Sequence, residues 1–304
     1  MLHGHSLPMQ HVRELLGTLA LAHATPILVT GETGTGKELA ARMIHEIAAP
    51  DDPFVAVNCA AITESLLESE LFGHVKGAFT GATENRMGAF RAAGRGVLLL
   101  DEVSEMAVGL QAKLLRVLDG YGARAVGADT DYRPGCIVVA TSNRVLAHPA
   151  CGFRRDLYHR LSAFQVDMPP LRERNGDAVM LAEMFLAGRK RLTRLAKEAM
   201  RRYAWPGNVR ELRNMMERAV LTESSGAIGE RTLLPYMQEY VAADVVNCDL
   251  RRAEAQLIRS ALRQSNGDKV RAAGMLGICR SALYDKMRRH GIPLGDAREE
   301  TNTR

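Results

Sequence analysis

The segment Gly31–Glu38, with the sequence GETGTGKE, has the residue types and spacing of a phosphate-binding loop. Its glycines let backbone N–H groups turn towards an anion, and Lys37 can reach the β- and γ-phosphates of a nucleotide. Glu38 stands where a Mg²⁺-binding Ser or Thr is expected. The alternative is an ordinary glycine-rich turn between a strand and a helix. The candidate nucleotide ligands are Gly31, Glu32, Thr33, Gly34, Thr35, Gly36, Lys37 and Glu38.

An acidic pair, Asp101 and Glu102, follows the apolar run Val97–Leu100. A carboxylate at a strand end can hold Mg²⁺, directly or through water, and its neighbour can polarise the attacking water. Alone, such a pair is equally well explained as a polar cap on the strand. Because it lies downstream of the phosphate loop at a suitable distance, the two together predict hydrolysis of ATP with Mg²⁺, and Asp101 is the candidate metal ligand.

Three further positions could complete a nucleotide hydrolase. Asn143 follows the next apolar run and could sense the γ-phosphate or orient water, although a turn asparagine is nearly as good an explanation. Arg154 and Arg160 lie in FRRDLYHRL. An arginine from a neighbouring subunit stabilises the charge of phosphoryl transfer, whereas each could also be an ordinary surface arginine. Arg210, in WPGNVREL, begins a helix from which it could reach back to the nucleotide.

The elements that must position these residues alternate between strands and helices, which predicts an α/β fold with a parallel sheet. In the helix after the phosphate loop, Leu39, Met43 and Ile47 share one face. The pattern then becomes helical from Asn175 to Leu221, which predicts a small helical subdomain. The predicted strands are Ile27–Thr30, Phe54–Asn58, Val97–Leu100, Cys136–Ala140 and Phe164–Val166.

The C-terminal segment, residues 249–304, carries the whole net charge of +5, which suggests a polyanionic partner. Helical patterns at about Leu250–Gln264, Asp268–Leu276 and Cys279–His290 predict a helix-turn-helix, in which the first helix completes a three-helix unit or a dimer interface. The alternative is a helical hairpin used only for oligomerisation. The expected interhelical contacts are Val270, Ala273, Leu276, Ile278, Leu283 and Met287. The candidate DNA-binding residues are Arg280, Ser281, Tyr284, Lys286, Arg288 and Arg289.

Composition excludes several other classes of protein. The chain has 304 residues, of which 46% are hydrophobic and 25% charged, as expected for about two globular domains. No apolar run is long enough to span a membrane, and the N-terminus does not have the pattern of a signal peptide. The five cysteines are scattered and form no CxxC pair, which predicts reduced thiols and a cytoplasmic location.

One stretch is far more specific than a generic nucleotide-binding pattern. Glu68–Ala82 reads ESELFGHVKGAFTGA, and it resembles the signature loop of bacterial sigma-54-dependent transcriptional activators, the NtrC-type enhancer-binding proteins. The resemblance extends from about Gly4 to Leu221, and Ala253–Ile292 resembles the Fis-type DNA-binding domain of the same activators. The other matching motifs are GETGTGKE, VNCAAI, LQAKLLRVL, FRRDLYHRL, PPLRER and WPGNVREL.

The resemblance implies an AAA+ P-loop ATPase with a parallel sheet and an α-helical lid, followed by an all-α helix-turn-helix domain. The implied partners are the sigma-54 RNA polymerase holoenzyme and double-stranded enhancer DNA, and the implied cofactors are ATP and Mg²⁺. The expected domains are an ATPase subdomain at 1–170, a lid at 171–222, a linker at 223–248, the helix-turn-helix at 249–293 and a disordered tail at 294–304.

The resemblance also assigns roles. Glu38 is the residue usual in this family at that position, and Asn58 is the implied switch that holds Glu102 away from water. Arg154 and Arg160 are the implied arginine fingers, which act on a neighbouring subunit of a ring. That ring is usually a hexamer, with a dimer as the inactive form.

Arg210 is the implied lid sensor. The implied sigma-54 contacts are Gly77, Ala78, Phe79, Thr80, Gly81 and Ala82. Taken without its flanking motifs, this loop also fits a hairpin turn whose Phe79 folds into the core.

The chain departs from the family pattern in four ways. The segment around Arg189–Arg194 is about ten residues shorter than usual in this family, judged against ordinary loop lengths, which questions lid packing and turnover. GRGVLLLDE replaces the commoner Gly-Gly-Thr opening before the acidic pair, with little expected effect. Cys279 stands where a serine helix cap is commoner. No regulatory stretch precedes the ATPase region, so control by a trans-acting regulator protein or by expression level is expected.

Two other functions compete with the sigma-54 activator. One is a transcription factor or repressor that binds nucleotide and DNA but has no remodelling activity. It would not require the GAFTGA loop (Gly77–Ala82), the acidic pair or the two candidate finger arginines. A chaperone or helicase loader would not require the helix-turn-helix. The sequence therefore favours an activator that uses ATP hydrolysis to remodel the sigma-54 polymerase closed complex.

Overall fold

The computed structural model describes residues 2–61, 63–148, 151–237, 254, 257–262, 265, 268–290 and 292. The chain divides into two compact units, Met1–Pro235 and Tyr236–Arg304. The expected tail at 294–304, Leu250 of the expected first C-terminal helix, and residues 238–248 of the expected linker lie outside the described residues.

The helices and strands follow the order that the alternating pattern predicts. The helices are α1 (Leu7–Leu21), α2 (Lys37–Ala48), α3 (Glu64–Phe72), α4 (Ala89–Ala92), α5 (Val108–Leu118), α6 (Arg155–Leu161), α7 (Asp177–Leu186), α8 (Arg194–Arg202), α9 (Asn208–Thr222), α10 (Lys269–Met275) and α11 (Arg280–Arg289). The strands are β1 (Ile27–Thr30), β2 (Phe54–Asn58), β3 (Gly73–His74), β4 (Arg86–Met87), β5 (Val97–Asp101), β6 (Ala123–Arg124), β7 (Asp131–Tyr132), β8 (Ile137–Ser142), β9 (Phe164–Asp167), β10 (Arg191–Leu192) and β11 (Ala227–Ile228).

The core of the first unit is a five-stranded parallel sheet in the order β2-β5-β8-β1-β9. Successive residues of the central strands alternate between two apolar layers, because side chains in a strand point to opposite faces. Leu98 and Leu100 pack in the layer with α3, α5 and α6, while Leu99 and Val139 pack in the layer with α1 and α2. Both faces are covered, which explains the continuous apolar runs at Val97–Leu100 and in β8.

Helix α2 buries the face that continues from Lys37. Leu39 is 41% exposed, whereas Ala40, Ala41 and Ile44 are fully buried. The rotation of the helix is set at its first residue, since Lys37 is buried and positions three, four and seven residues later lie on the same side of a helix. Of the three residues that share the apolar face noted in the sequence, Met43 packs against the apolar layer, whereas Leu39 and Ile47 are exposed.

The helical part of the first unit contains α7, α8 and α9 and continues beyond Leu221. Strand β11 pairs in parallel with β10, and Ile228 and Leu233 are fully buried. Residues 223–235, which the sequence placed in a linker, thus lie within this folded part. The Ser224-Ser225-Gly226 sequence predicts only a turn before β11. The pairing of β11 depends on β10, which is distant in the sequence.

The shortened segment around Arg189–Arg194 is closed by hydrogen bonds. Lys190 Nζ donates to the Ser225 carbonyl at 3.0 Å and also to the Glu223 carbonyl, and Arg189 Nη2 donates to the Phe185 carbonyl at 2.9 Å. These cations satisfy carbonyl groups at helix ends. The packing of the lid therefore does not depend on a longer connection here.

In the second unit α10 and α11 pack around a small apolar core. Its buried members are Ile258, Ala261, Ala272, Ala273, Leu283, Met287 and Ile292. Val270 is 62% exposed, so the prediction that it packs between the helices is wrong. The small side chain of Ala272 takes the buried position and lets the helices approach closely. No helix among the described residues combines the length and the apolar character needed to cross a membrane.

Candidate active site

The phosphate loop connects β1 to α2, and its glycines are needed for its backbone conformation. Gly31, Gly34 and Gly36 have φ angles of 144°, 80° and 104°, which side chains rarely adopt. At Gly34 a Cβ atom would lie 2.4 Å from the carbonyl oxygen of Gly207. The loop is thus closely packed against the start of α9, and only glycine fits there.

Lys37 bends back over the loop that precedes it. Its Nζ donates to the Gly31 carbonyl at 2.9 Å and to the Glu32 carbonyl at 3.2 Å. Burial lowers the pKa of Lys37, and the carboxylates of Glu102 and Asp101 oppose this effect. Among the described residues the hydrogen-bond partners of this buried cation are carbonyl oxygens, so it is suited to an anionic ligand, and the neighbouring carboxylates favour its charged form.

Glu38 points away from this centre. Its carboxylate forms an exposed ion pair with Arg42, four residues later in the helix, at 2.8 Å. That contact is a helix-surface interaction of small energetic weight. The structure therefore gives Glu38 a partner within α2, and its assignment as a nucleotide ligand stays a prediction.

The acidic pair lies at the carboxyl end of β5. Thr141 Oγ1 donates to Asp101 Oδ1 at 2.5 Å and accepts from the Glu102 N–H at 3.0 Å. Glu102 has a φ of 54°, and its Oε2 is buried without a hydrogen-bond partner among the described residues. A strained, unsatisfied carboxylate beside a buried lysine is characteristic of a reactive site.

Thr141 is a functional candidate that the sequence analysis missed. It is fully buried on β8 and holds both members of the acidic pair through one hydroxyl group. The signal was a pair of hydroxyl residues, Thr141 and Ser142, at the end of an otherwise apolar buried strand and directly before Asn143. The sequence alone does not show what this hydroxyl contacts, because the contact depends on the pairing of β5 with β8.

The two asparagines of the site lie at the carboxyl ends of β2 and β8, the strands on either side of β5. Asn58 is paired in register with Asp101, and its Oδ1 accepts from the Ala60 N–H at 2.8 Å. No hydrogen bond joins Asn58 to Glu102 in the part of the chain that the structure describes, so its role as a switch stays a prediction. Asn143 Nδ2 donates to Thr33 Oγ1 of the phosphate loop at 3.3 Å.

A cavity of about 300 Å³ opens beside the phosphate loop at the carboxyl edge of the sheet. Its lining includes Thr30, Gly31, Glu32, Asn143, Tyr158 and Asp167. Open parallel sheets bind ligands at this edge, beyond the carboxyl ends of the strands. The cavity therefore opens beside the start of the phosphate loop, at the same edge of the sheet where the acidic pair ends β5, and a nucleotide site is expected at this edge.

Arg210 lies beside the phosphate loop, whereas Arg154 and Arg160 have other partners. The N–H of Val209 donates to the Gly34 carbonyl at 3.0 Å, which brings the exposed Arg210 to the loop. Arg154 pairs with Asp156 at 2.7 Å, and Arg160 donates to the Leu118 carbonyl at 2.7 Å. Among the described residues, neither arginine forms a hydrogen bond or ion pair with the phosphate loop of its own chain.

The GAFTGA loop, Gly77–Ala82, projects from the first unit between β3 and β4. It is closed by a hydrogen bond of 2.8 Å from the Gly77 N–H to the Ala82 carbonyl. Phe79 is 43% exposed and meets the His74 ring edge-on at 5.0 Å. The alternative in which Phe79 folds into the core is wrong, because the ring is exposed and is not a member of the apolar core cluster of this unit.

Within the helix-turn-helix the predicted recognition residues differ in how accessible they are. Arg280, Ser281, Arg288 and Arg289 are exposed, and Arg280 lies over the ring of the partly buried Tyr284 at 5.6 Å. Lys286 instead forms an ion pair with Glu254. Cys279 occupies the cap position of α11 without a side-chain hydrogen bond to the helix backbone, as expected for a weak cap.

The fold and the site together define an AAA+ ATPase. The chain is similar to NtrX from Brucella abortus, solved in complex with ATP, with a TM-score of 0.69 and 31% identity over 95% of this chain and 69% of that one. A likeness to Thermotoga maritima RuvB, with a TM-score of 0.53 and 12% identity over 93% of this chain and 87% of that one, supports the fold alone.

Three consecutive family matches cover most of the chain. Residues 2–167 match the sigma-54 interaction domain, residues 172–247 the AAA+ ATPase lid domain and residues 249–290 the Fis family of bacterial regulatory proteins. The chain belongs to the family of sigma-54-dependent transcriptional regulators that combine these three parts.

Curated relatives agree with this assignment. The chain is 41% identical to the regulatory protein AtoC of Escherichia coli K12 over 91% of its length, and it spans 65% of AtoC. It is 40% identical to the response regulator PilR of Pseudomonas aeruginosa over 95% of its length, and it spans 69% of PilR. It is also 42% identical to the nitric oxide reductase regulator NorR of Escherichia coli O157:H7 over 88% of its length, spanning 58% of NorR.

Proposed function

We propose that the chain is a DNA-bound ATPase that remodels the sigma-54 RNA polymerase closed complex through its GAFTGA loop. The observation that carries this proposal is Phe79, which stands exposed in a loop with positive-φ glycines on the same α/β unit as the phosphate loop and the acidic pair. An exposed aromatic ring flanked by flexible residues suits a transient contact with another protein.

In the proposed reaction the phosphate loop binds ATP and Lys37 neutralises the β- and γ-phosphates. The Asp101 carboxylate, oriented by Thr141, holds Mg²⁺, which would neutralise charge on the phosphates. Glu102 polarises the attacking water, since its Oε2, which has no hydrogen-bond partner among the described residues, can accept a hydrogen bond from that water. Asn58 and Asn143 respond to the presence of the γ-phosphate.

A ring, by our proposal a hexamer that assembles from dimers, completes the site. Arg154 and Arg160 are held by Asp156 and the Leu118 carbonyl on one side of the unit, so they would act on the nucleotide of a neighbouring subunit. Arg210 would report the nucleotide state to the lid from within the same chain.

The second unit would bind enhancer DNA in the cytoplasm. Arg280, Ser281, Tyr284, Arg288 and Arg289 are the proposed contacts to bases and phosphates, and Lys286 would contribute after exchanging Glu254 for a phosphate. The proposed boundaries are 1–170 for the ATPase subdomain, 171–222 for the lid, 249–293 for the helix-turn-helix and 294–304 for the tail. Of the expected linker at 223–248, residues 223–235 fold with the lid. A trans-acting regulator is the proposed source of control.

The proposal is tested by phosphate release, binding to sigma-54 and open-complex formation in parallel. Thr80→Ala is expected to keep ATP hydrolysis and DNA binding but to lose sigma-54 contact and activation. Glu102→Gln is expected to bind ATP and to lose hydrolysis by about 10²-fold or more. A wild-type chain that hydrolyses ATP yet contacts sigma-54 in no nucleotide state would overturn the remodelling function.

A further inference from the structure

Four consecutive residues of the phosphate loop are each hydrogen-bonded to the helical lid. Arg172 donates two hydrogen bonds to the carboxylate of Glu32, at 2.6 and 2.8 Å. Asn208 Nδ2 donates to Glu32 Oε2 and to the Thr33 carbonyl, both at 3.1 Å. The remaining two contacts are Val209 N–H to the Gly34 carbonyl at 3.0 Å and Arg174 Nη2 to the Thr35 carbonyl at 2.7 Å.

Asn208 joins three segments through one side chain. Besides its two donors to the loop, its Oδ1 accepts from the Leu171 N–H at 2.7 Å. The residue is fully buried and has a φ of 52°, a conformation that asparagine tolerates better than most residues. Aspartate would lose the donors and add a charge beside Glu32, so the site requires the amide.

Arg174 makes the same kind of contact from deeper in the structure. It is buried, and it donates to the Pro169 carbonyl at 2.8 Å as well as to the Thr35 carbonyl. Burial lowers its pKa to about 10, opposed by the carboxylate of Asp177. A buried arginine is costly, so its retention on a loop carbonyl points to a need for a defined loop position.

Hydrogen bonds from the lid to the loop carbonyls also fix the direction of the loop N–H groups, because of the geometry of the peptide unit. In a planar trans peptide the C=O and the following N–H point in opposite directions. The lid holds the carbonyls of Thr33, Gly34 and Thr35 on the outer side of the loop. The N–H groups of Gly34 and Gly36, which follow Thr33 and Thr35, are thereby turned to the inner side, where a phosphate would bind, while the Thr35 N–H donates to the Glu32 carbonyl within the loop at 3.4 Å.

We propose that Arg172, Arg174 and Asn208 form a clamp that presets the phosphate loop for nucleotide, with Asn208 as its central positioning residue. The clamp touches the loop from outside and makes no contact with ligand, which distinguishes it from the proposed sensor Arg210. Because the same residues belong to the lid, a change in loop geometry on binding or hydrolysis is passed to the lid directly. This inference rests on the proposed nucleotide site.

The test compares nucleotide affinity with fold stability in the full chain. Asn208→Ala is expected to raise the Kd for a fluorescent ATP analogue and the KM for ATP roughly tenfold, since it removes three hydrogen bonds, while kcat at saturation changes less. Thermal unfolding without nucleotide reports the structural cost separately. A purely structural role would lower the unfolding midpoint and leave the Kd of the folded protein unchanged.

The exposed contact between the clamp residue Arg172 and Glu32 of the loop gives a second test if Asn208→Ala fails to fold. Glu32 and Arg172 side chains are each 43% exposed, so their ion pair contributes little to stability. Glu32→Gln and Arg172→Gln are each expected to weaken nucleotide binding about threefold, and the double variant is expected to be no weaker than the weaker single variant. The matched control is Arg213→Gln, which breaks an exposed ion pair between Arg213 and Glu217 within α9.

The outcomes separate this inference from the function on which it rests. Nucleotide affinities within twofold of wild type in every folded clamp variant, or an equal loss in Arg213→Gln, would overturn the clamp. A wild-type chain that binds no ATP analogue would instead overturn the nucleotide site itself.

Discussion

Replacing Thr141 by valine tests how the acidic pair is held. The two side chains have nearly the same shape, so the change removes the hydroxyl group without opening a cavity. The lost contacts are the 2.5 Å hydrogen bond to Asp101 Oδ1 and the 3.0 Å hydrogen bond from the Glu102 N–H. Thr141→Ser keeps the hydroxyl and serves as the matched control.

The expected size of the effect follows from these two contacts. A hydrogen bond to a carboxylate contributes about 1.5–3 kcal/mol, and a buried N–H left unpaired costs about 1–3 kcal/mol. Part of this free energy is lost from the stability of the fold. The rest raises the activation barrier for hydrolysis, because the carboxylates are no longer held in position. A barrier higher by about 1.4–2.7 kcal/mol corresponds to a fall in kcat of roughly 10- to 100-fold.

The assay is steady-state phosphate release, titrated with Mg²⁺ at saturating ATP. If Asp101 holds the metal, Thr141→Val is expected to raise the half-saturating Mg²⁺ concentration about tenfold, because groups that orient a metal ligand typically affect affinity by this factor or more. Thr141→Ser should stay within a few-fold of wild type. Equal turnover and equal Mg²⁺ requirement in the valine and serine variants would refute the reasoning.

Three further predictions concern other parts of the molecule. Gly34→Ala is expected to lose ATP binding in a fluorescence titration and about 2 kcal/mol or more of stability, because its Cβ would meet a lid carbonyl at 2.4 Å. Hydrogen bonding by Lys286 lowers the pKa of Glu254 to about 2. Unfolding curves should therefore show Glu254→Gln less stable than wild type at pH 7, with the difference shrinking below pH 4.5 and lost near pH 2, as the native carboxylate is protonated. In thiol labelling, the exposed Cys279 should react first and Cys59, with its pKa raised by burial to about 12, should resist, and the adduct at the start of α11 should weaken DNA binding in a gel-shift assay.

The order of strands and helices followed from local pattern alone. Short continuous apolar runs are typical of strands that are buried on both faces of a parallel sheet. All five predicted strands accordingly begin and end within two residues of their expected bounds. The glycines of the phosphate loop and of GAFTGA were likewise readable from the sequence, because their spacing reflects backbone conformations that few other residues adopt.

Contacts between distant segments could not be read in this way. The hydroxyl of Thr141 meets Asp101 only because β5 and β8 are neighbours, although β6 and β7 separate them in the chain. The buried face of α2, the pairing of β11 with β10 and the hydrogen bonds of Asn208 have the same origin. In each case several local arrangements were equally compatible with the pattern, and long-range packing selected one of them.

The sequence by itself thus determined the chemistry available to this protein: the phosphate loop, the acidic pair, the GAFTGA loop and the basic C-terminal helices. Each of these depends on residue type and short-range spacing. The tertiary structure decided which groups hold that chemistry in place, because hydrogen bonds such as those from Asn208 to Glu32 and Thr33 join residues about 175 positions apart. Only the folded chain brings such partners together.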